Sequence, residues 1–203
     1  MRALLLNATL KRSPEPSSTE ALAGFVAGAL EQRGVVCEHV RLVDHVIEPG
    51  VVSEPVTARD EWPALRERVL EADIVVFATP TWLGQLSSVM KRTLERMDAM
   101  LSETTVAGVP VAYNKVAGFV VTGNEDGAHA CIANMAQALI DIGFTIPGQS
   151  WTYWNKGPGP GEEVYLTTDD REWTHTTGDA MAHNLVAVTR ALQLHPIPKP
   201  PNA

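Results

Sequence analysis

Apolar runs of strand length alternate with helically spaced apolar positions along the chain. Ala3 to Leu6 is entirely apolar and ends at the polar Asn7, Ala8 and Thr9. Ser18 to Arg33 repeats Leu22, Phe25, Val26 and Leu30 on one helical face, and Gly34 follows as a C-cap residue would. Val35 to Leu42 reads as a second strand whose interrupting charges suit an edge. Residues 43–60 carry no period and read as a connection. Trp62 to Glu71 fits a short helix on Trp62, Leu65, Val69 and Leu70. Ile74 to Ala78 is β-branched and apolar on both faces, the clearest strand in the chain. Ser88 to Leu101 predicts a helix, Val116 to Val121 a strand, and Gly127 to Ile142 an Ala-rich helix stopped by Gly143. Phe144 to Trp154 contains a fifth strand, with Pro147 breaking it or marking an edge. Residues 155–174, rich in Gly, Pro and acids, read as a surface excursion. Met181 to Leu194 is a last helix, and the Pro-rich tail 195–203 cannot be helical.

Strands alternating with helices predict an α/β fold, a parallel sheet with helices on both faces. Five strands fit two doubly wound orders best. Ligands of such sheets sit beyond the carboxyl ends of the strands, at the point where the strand order reverses. That directs attention to the loops after Leu6, Ala78 and Val121. The 203 residues suit a single domain spanning 1–203, with 155–174 as an excursion from it.

Composition narrows the partners. The net charge is −8, with no basic run beyond Lys11 and Arg12, so nucleic acid and anionic membrane are poor partners. No apolar run approaches the ~20 residues of a membrane helix. The first residues carry one charge and a very short apolar run, too little for a secretory signal. The two cysteines, Cys37 and Cys131, form no CxxC pair and are too few for a zinc site or an iron–sulfur cluster. They read as reduced thiols of a cytoplasmic protein.

The first loop runs from Asn7 to Glu20, out of a strand and into a helix. Ser17 with Glu20 forms a capping box that starts the helix near Ser18. The opening turn exposes backbone N–H groups, and the helix dipole adds partial positive charge. Thr9, Ser17, Ser18 and Thr19 add hydroxyls, while Lys11 and Arg12 would compensate a phosphate dianion. The loop matches neither GxxxxGK[ST] nor GxGxxG, so a triphosphate P-loop and a dinucleotide site are disfavoured.

The second loop contains Pro80, Thr81, Trp82, Leu83 and Gly84. Pro80 and Gly84 shape the turn. Trp82 either walls off a flat heterocycle or plugs the top of the core. The third loop carries Thr122, Gly123, Asn124, Glu125 and Asp126 before Gly127. Its glycines admit close backbone approach, and its acids would repel phosphate, so it suits a ring or ribityl chain. Asn124 or Asp126 is placed to cap the next helix. His129, in that helix's first turn, reads as a solvated surface residue rather than a general base.

These residues resemble the NADPH-dependent FMN reductase family, the flavodoxin-like NAD(P)H oxidoreductases. The family's phosphate loop, N-G-S-P-R-K followed by S-N-T, is similar to Asn7 to Arg12 with Ser17, Ser18 and Thr19. Here Ala8, Thr9, Leu10 and Ser18 replace its Gly, Ser, Pro and Asn. The family's ring loop, T-P-x-[YW]-x-G followed by S-x-x-x-K, resembles Thr79 to Gly84 with Ser87 to Lys91, the most specific segment. Val121 to Ala128 resembles a subgroup of the same family. The resemblance covers residues 2–155 and implies a flavodoxin-like five-stranded sheet in the order 2-1-3-4-5, bound FMN, NADPH or NADH as donor, and a homodimer or homotetramer.

On this resemblance the expected activity is electron transfer from a nicotinamide through FMN to a small acceptor: a quinone, nitro or azo compound, free flavin or metal ion. The flavin carries the chemistry, so no catalytic acid–base pair and no metal are expected. Thr9, Lys11, Ser17, Ser18 and Thr19 are assigned to the phosphate, and Pro80 to Gly84 with Thr122 to Asp126 to the ring. Trp151, Tyr153 and Trp154 are candidates for walling the acceptor pocket, or for strand packing. The competing reading is a flavodoxin-type carrier, against which the longer loop with Lys11 and Arg12 argues. A phospho-receiver would need acids where Asn7, Ala8, Ala78 and Thr79 stand.

Overall fold

In the computed structural model, residues 1–159 and 161–201 are described. Six strands and five helices follow one another as β1 (Arg2–Asn7), α1 (Ser18–Glu31), β2 (Val36–Arg41), α2 (Trp62–Glu71), β3 (Ile74–Trp82), β4 (Gln85–Leu86), α3 (Ser88–Met97), β5 (Val116–Gly123), α4 (Ala128–Ile142), β6 (Trp151–Asn155) and α5 (Glu172–Leu194). Five parallel strands pair in the order β2-β1-β3-β5-β6, and the two-residue β4 folds back on the end of β3. Discounting β4, this is the order 2-1-3-4-5 that the family resemblance implies, one of the doubly wound orders left open by the alternation of strands and helices.

The alternation of side chains across each strand sorts the core into two layers. Leu4, Leu6, Val75, Phe77, Ala117, Phe119 and Val121 face α2, α3 and α4. Ala3, Leu5, Ile74, Val76, Ala78, Val116 and Val120 face α1 and α5. Every one of these is buried, which is why the strand sequences are apolar on both faces. Burying one such large side chain stabilises the fold by roughly 1.5–3 kcal/mol.

Several boundaries differ from the sequence reading. The fifth strand of the sheet begins at Trp151, and Pro147 lies in the approach to it, where only Thr145 bridges to Val116. The helix predicted to Leu101 ends at Met97, and a 3-10 turn over Asp98–Ser102 replaces its last turn. The last helix starts at Glu172 rather than Met181. Its early turns contain threonines and Gly178, poor helix formers. Tertiary contacts override them: Thr174 donates to the Tyr153 carbonyl at 3.0 Å, and Gly178 sits against the Phe25 ring.

The predicted excursion is shorter, 156–171, and is not purely surface. Tyr165 and Thr168 are buried, and Trp154 donates from Nε1 to the Asp170 carbonyl at 3.1 Å. In the tail, Ile197 exchanges backbone hydrogen bonds with the Asn114 side chain at 2.7 and 3.2 Å. Pro160, Asn202 and Ala203 of the predicted excursion and tail lie outside the described residues. Among the described residues no helix is long and apolar enough to cross a membrane.

Candidate functional site

Parallel pairing brings the carboxyl ends of β1, β3 and β5 to one edge. Asn7 stands beside Ala78, and Pro80 beside Thr122. The three loops that follow therefore converge where the strand order reverses between β1 and β3. A cavity of about 200 Å³ opens between them.

Eleven of the residues assigned from sequence line this cavity: Thr9, Lys11, Ser17, Ser18, Thr19, Pro80, Thr81, Trp82, Thr122, Gly123 and Asn124. Leu83, Gly84, Glu125 and Asp126 do not. Leu83 is almost fully exposed at the tip of the β3–β4 hairpin. Gly84 and Glu125 stand behind the lining, joined by a 3.4 Å bond from the Gly84 N–H to the Glu125 carboxylate. Asp126 is exposed against Gly157.

Two open alternatives are resolved and one local expectation is corrected. Trp82 does not plug the core: it lines the cavity and is 52% exposed. Neither Asn124 nor Asp126 caps α4. The cap position is Gly127, without a side-chain bond, and the Asn124 amide instead donates to the Gly161 carbonyl at 2.6 Å. Of the three aromatics of β6, Trp154 lines the cavity, whereas Trp151 and Tyr153 turn to the other face and pack with His129 and Trp173.

The first loop is held open by side chains from β2 and the turn after it. Ser17 accepts from the Glu20 N–H at 3.2 Å, half of the expected capping box. The Glu20 carboxylate does not return to Ser17. It pairs with Arg41, a nearly buried guanidinium that also donates to the carbonyls of Lys11 and Glu15 at 3.3 and 2.9 Å. Arg41 thus neutralises an acid in the first turn that would otherwise repel an anion. Asp44 accepts from the Ser13 N–H and hydroxyl at 3.0 and 2.6 Å, and these bonds hold its carboxyl below the usual range. Lys11 leans along the loop toward the Pro16 carbonyl at 3.2 Å and Glu15 at 3.6 Å. Arg12 is exposed and outside the lining.

The resulting donor set fits a phosphomonoester. The backbone N–H groups of Ser18 and Thr19 have no acceptor among the described residues, as the opening turn of a helix leaves them. The α1 dipole and the Lys11 ammonium supply positive charge, and the hydroxyls of Thr9, Ser17, Ser18 and Thr19 lie alongside. The remaining lining sets the apolar Leu10, Pro80, Trp82, Trp154, Val164 and Tyr165 beside Thr81, Thr122, Gly123 and Asn124.

Sequence reasoning missed Arg41, Leu10, Val164 and Tyr165. Arg41 read only as a charge interrupting an edge strand, although its register opposite Asn7 places it beside the first loop. Val164 and Tyr165 lay inside a segment read as surface, where an apolar pair amid acids and glycines was the available signal.

Comparison with known proteins agrees with this geometry. Residues 1–158 match the family described as NADPH-dependent FMN reductase. The chain is 37% identical over 171 residues to the 8-demethyl-8-aminoriboflavin-5'-phosphate synthase of Streptomyces davaonensis, covering 79% of this chain and 66% of that protein. The crystal structure of RosB with bound 8-demethyl-8-formylriboflavin-5'-phosphate superposes with a TM-score of 0.87 at 33% identity, covering 97% of this chain and 82% of that one. The chain is also 40% identical over 200 residues to the divalent metal cation transporter MntH of Mycobacterium bovis, covering 95% of this chain. It spans 29% of that transporter's length, so the likeness concerns one part of a longer protein. A phosphate-type cradle and a flat slot at the switch point of a flavodoxin-like sheet, with a match across the first 158 residues, identify the chain as a member of the NADPH-dependent FMN reductase family.

Proposed function

We propose that the chain binds FMN in this cavity and passes electrons from NADPH or NADH to a small acceptor. The observation that carries the reading is the convergence of unpaired N–H groups of Ser18 and Thr19 with the Trp82–Trp154 slot at a single sheet edge. Thr9, Lys11 and Ser17 to Thr19 would hold the phosphate, and Pro80 to Trp82 with Thr122 to Asn124 would border the ring. When bound, the flavin supplies the hydride and electron transfer itself. The protein's own part is to orient the ring, exclude water from one side and hold the phosphate charge through α1 and Lys11.

Purified protein mixed with FMN and desalted should retain a flavin absorption band. The loaded protein should then oxidise NADPH or NADH rapidly in the presence of a quinone. A retained band without nicotinamide oxidation would favour the flavodoxin-type carrier. The family resemblance implies a homodimer or homotetramer, which light scattering checks.

The likeness to the synthase and to RosB supports a second reading, in which a flavin phosphate is the substrate rather than a resident cofactor. The two separate on the flavin recovered after turnover. An unchanged FMN mass supports the oxidoreductase, and an altered mass supports flavin modification.

A further inference from the structure

The segment between β6 and α5 contributes a wall to the cavity from outside the stretch that matches the family. That match ends at residue 158, and Val164 and Tyr165 lie past it. Tyr165 is buried, with its ring edge-on to Trp154 at 6.2 Å. Its hydroxyl shares a 2.9 Å hydrogen bond with His175 Nε2 on α5. The His175 ring in turn stacks on Phe25 of α1 at 3.9 Å, with the two ring planes nearly parallel. Arg171 lies 5.0 Å over the Tyr165 ring and donates to its carbonyl at 3.0 Å. The other end of the segment is tied to the third loop, where Gly161 donates to the Asn124 carbonyl at 2.8 Å and receives its amide at 2.6 Å. Burial and Arg171 hold the His175 pKa down, so its neutral ring can accept at Nε2.

We propose that Tyr165 is a contact wall for the flavin phosphate and that His175 positions it, so that residues 161–171 form a strap retaining the ligand. The inference rests on the FMN reading above and adds a residue to it. The family-matched loops then make the anion cradle, while the strap decides how long the ligand stays.

The test is the release rate of FMN from the full chain, followed by recovery of flavin fluorescence after dilution. Tyr165→Ala should release FMN at least about tenfold faster than wild type. Tyr165→Phe and His175→Phe should each release it about fivefold faster. Their double variant should be no faster than either, because both remove the same bond. Release from Tyr165→Ala at the wild-type rate overturns the assignment. Hydrogen exchange on the unaltered chain needs no variant to fold: FMN should slow exchange in 161–168 as well as in 9–19. Protection of 9–19 alone overturns the strap and leaves the FMN reading intact. A wild-type chain whose exchange and fluorescence ignore FMN overturns the FMN reading and the strap together.

Discussion

The hydroxyls of Thr19 and Thr122 lie 2.7 Å apart, joining the first turn of α1 to the end of β5. Both residues are buried and both line the cavity, so this bond ties the proposed anion cradle to the proposed ring slot. A carboxylate at position 19 would break the tie and oppose a phosphate. Thr19→Glu is expected to weaken FMN binding at least tenfold, about 1.4 kcal/mol, in a fluorescence titration. Unchanged affinity would remove Thr19 from the phosphate site.

Arg41 shapes the cradle without lining it. Arg41→Met leaves the Glu20 carboxylate without its cation and strips the Lys11 and Glu15 carbonyls of a donor. Hydrogen bonds to charged groups contribute about 1.5–3 kcal/mol each, so a measurable loss in urea denaturation and a roughly tenfold loss of FMN affinity are expected. Arg41→Lys should recover little, because an ammonium cannot serve the same forked set of acceptors. Full recovery by lysine would show that charge alone matters there.

Asp60 and Arg96 form a fully buried ion pair, and Arg96 also donates to the carbonyls of Glu48, Val52 and Glu54. Arg96→Met strands a buried carboxylate and should cost about 3–5 kcal/mol in chemical denaturation. Burial pushes the Asp60 carboxyl up, but bonds from the Val56 N–H, Arg96 and the Trp62 and Glu48 N–H groups outweigh it, leaving its pKa below the ordinary value. The folded state therefore binds this proton less readily than the unfolded chain. The stabilisation is present above the unfolded aspartate pKa, about 4, and is lost as pH falls through the lower folded value. A stability–pH profile of Asp60→Asn should lack that part of the acid limb.

Gly127 and Gly34 both adopt positive φ, +112° and +81°. A Cβ at Gly34 meets open space, whereas one at Gly127 would stand 2.7 Å from the Gly84 Cα. Gly127→Ala should therefore cost more than Gly34→Ala, which carries only the backbone penalty of about 1 kcal/mol. Equal melting temperatures for the two variants would contradict the close approach of the second and third loops.

Burial, aided by Glu31, pushes the Cys37 thiol up to about 11, and burial also raises Cys131. Only the thiolate is nucleophilic, so at pH 8 Cys37 should alkylate on the order of a hundredfold more slowly than a free cysteine. Mass spectrometry after timed iodoacetamide treatment checks this. Fast modification would reopen a thiol role that the geometry disfavours.

The fold was legible because its strands are buried on both faces. Leu4 to Leu6, Ile74 to Ala78 and Val116 to Val121 announce a covered parallel sheet by composition alone. The candidate cradle's location was legible for a local reason: Ser17 caps the helix whose first residues line the cavity. What sequence did not disclose depends on contacts distant along the chain. Arg41 meets Glu20 only when β2 pairs beside β1, and the helical state of residues 172–180 depends on packing against β6 and Phe25 rather than on propensity. Tyr165 escaped notice because polar, glycine-rich surroundings mask an aromatic whose burial comes from Trp154 and His175.

The Gly84–Glu125 bond and the backbone contact at Gly127 have a kinetic consequence. The hairpin tip and the turn before α4 cannot part without losing both, so they are expected to move together. A planar molecule admitted beside Trp82, as the proposed function requires, would then enter through one concerted opening. Amides on both segments should relax with one shared rate constant on the microsecond-to-millisecond scale.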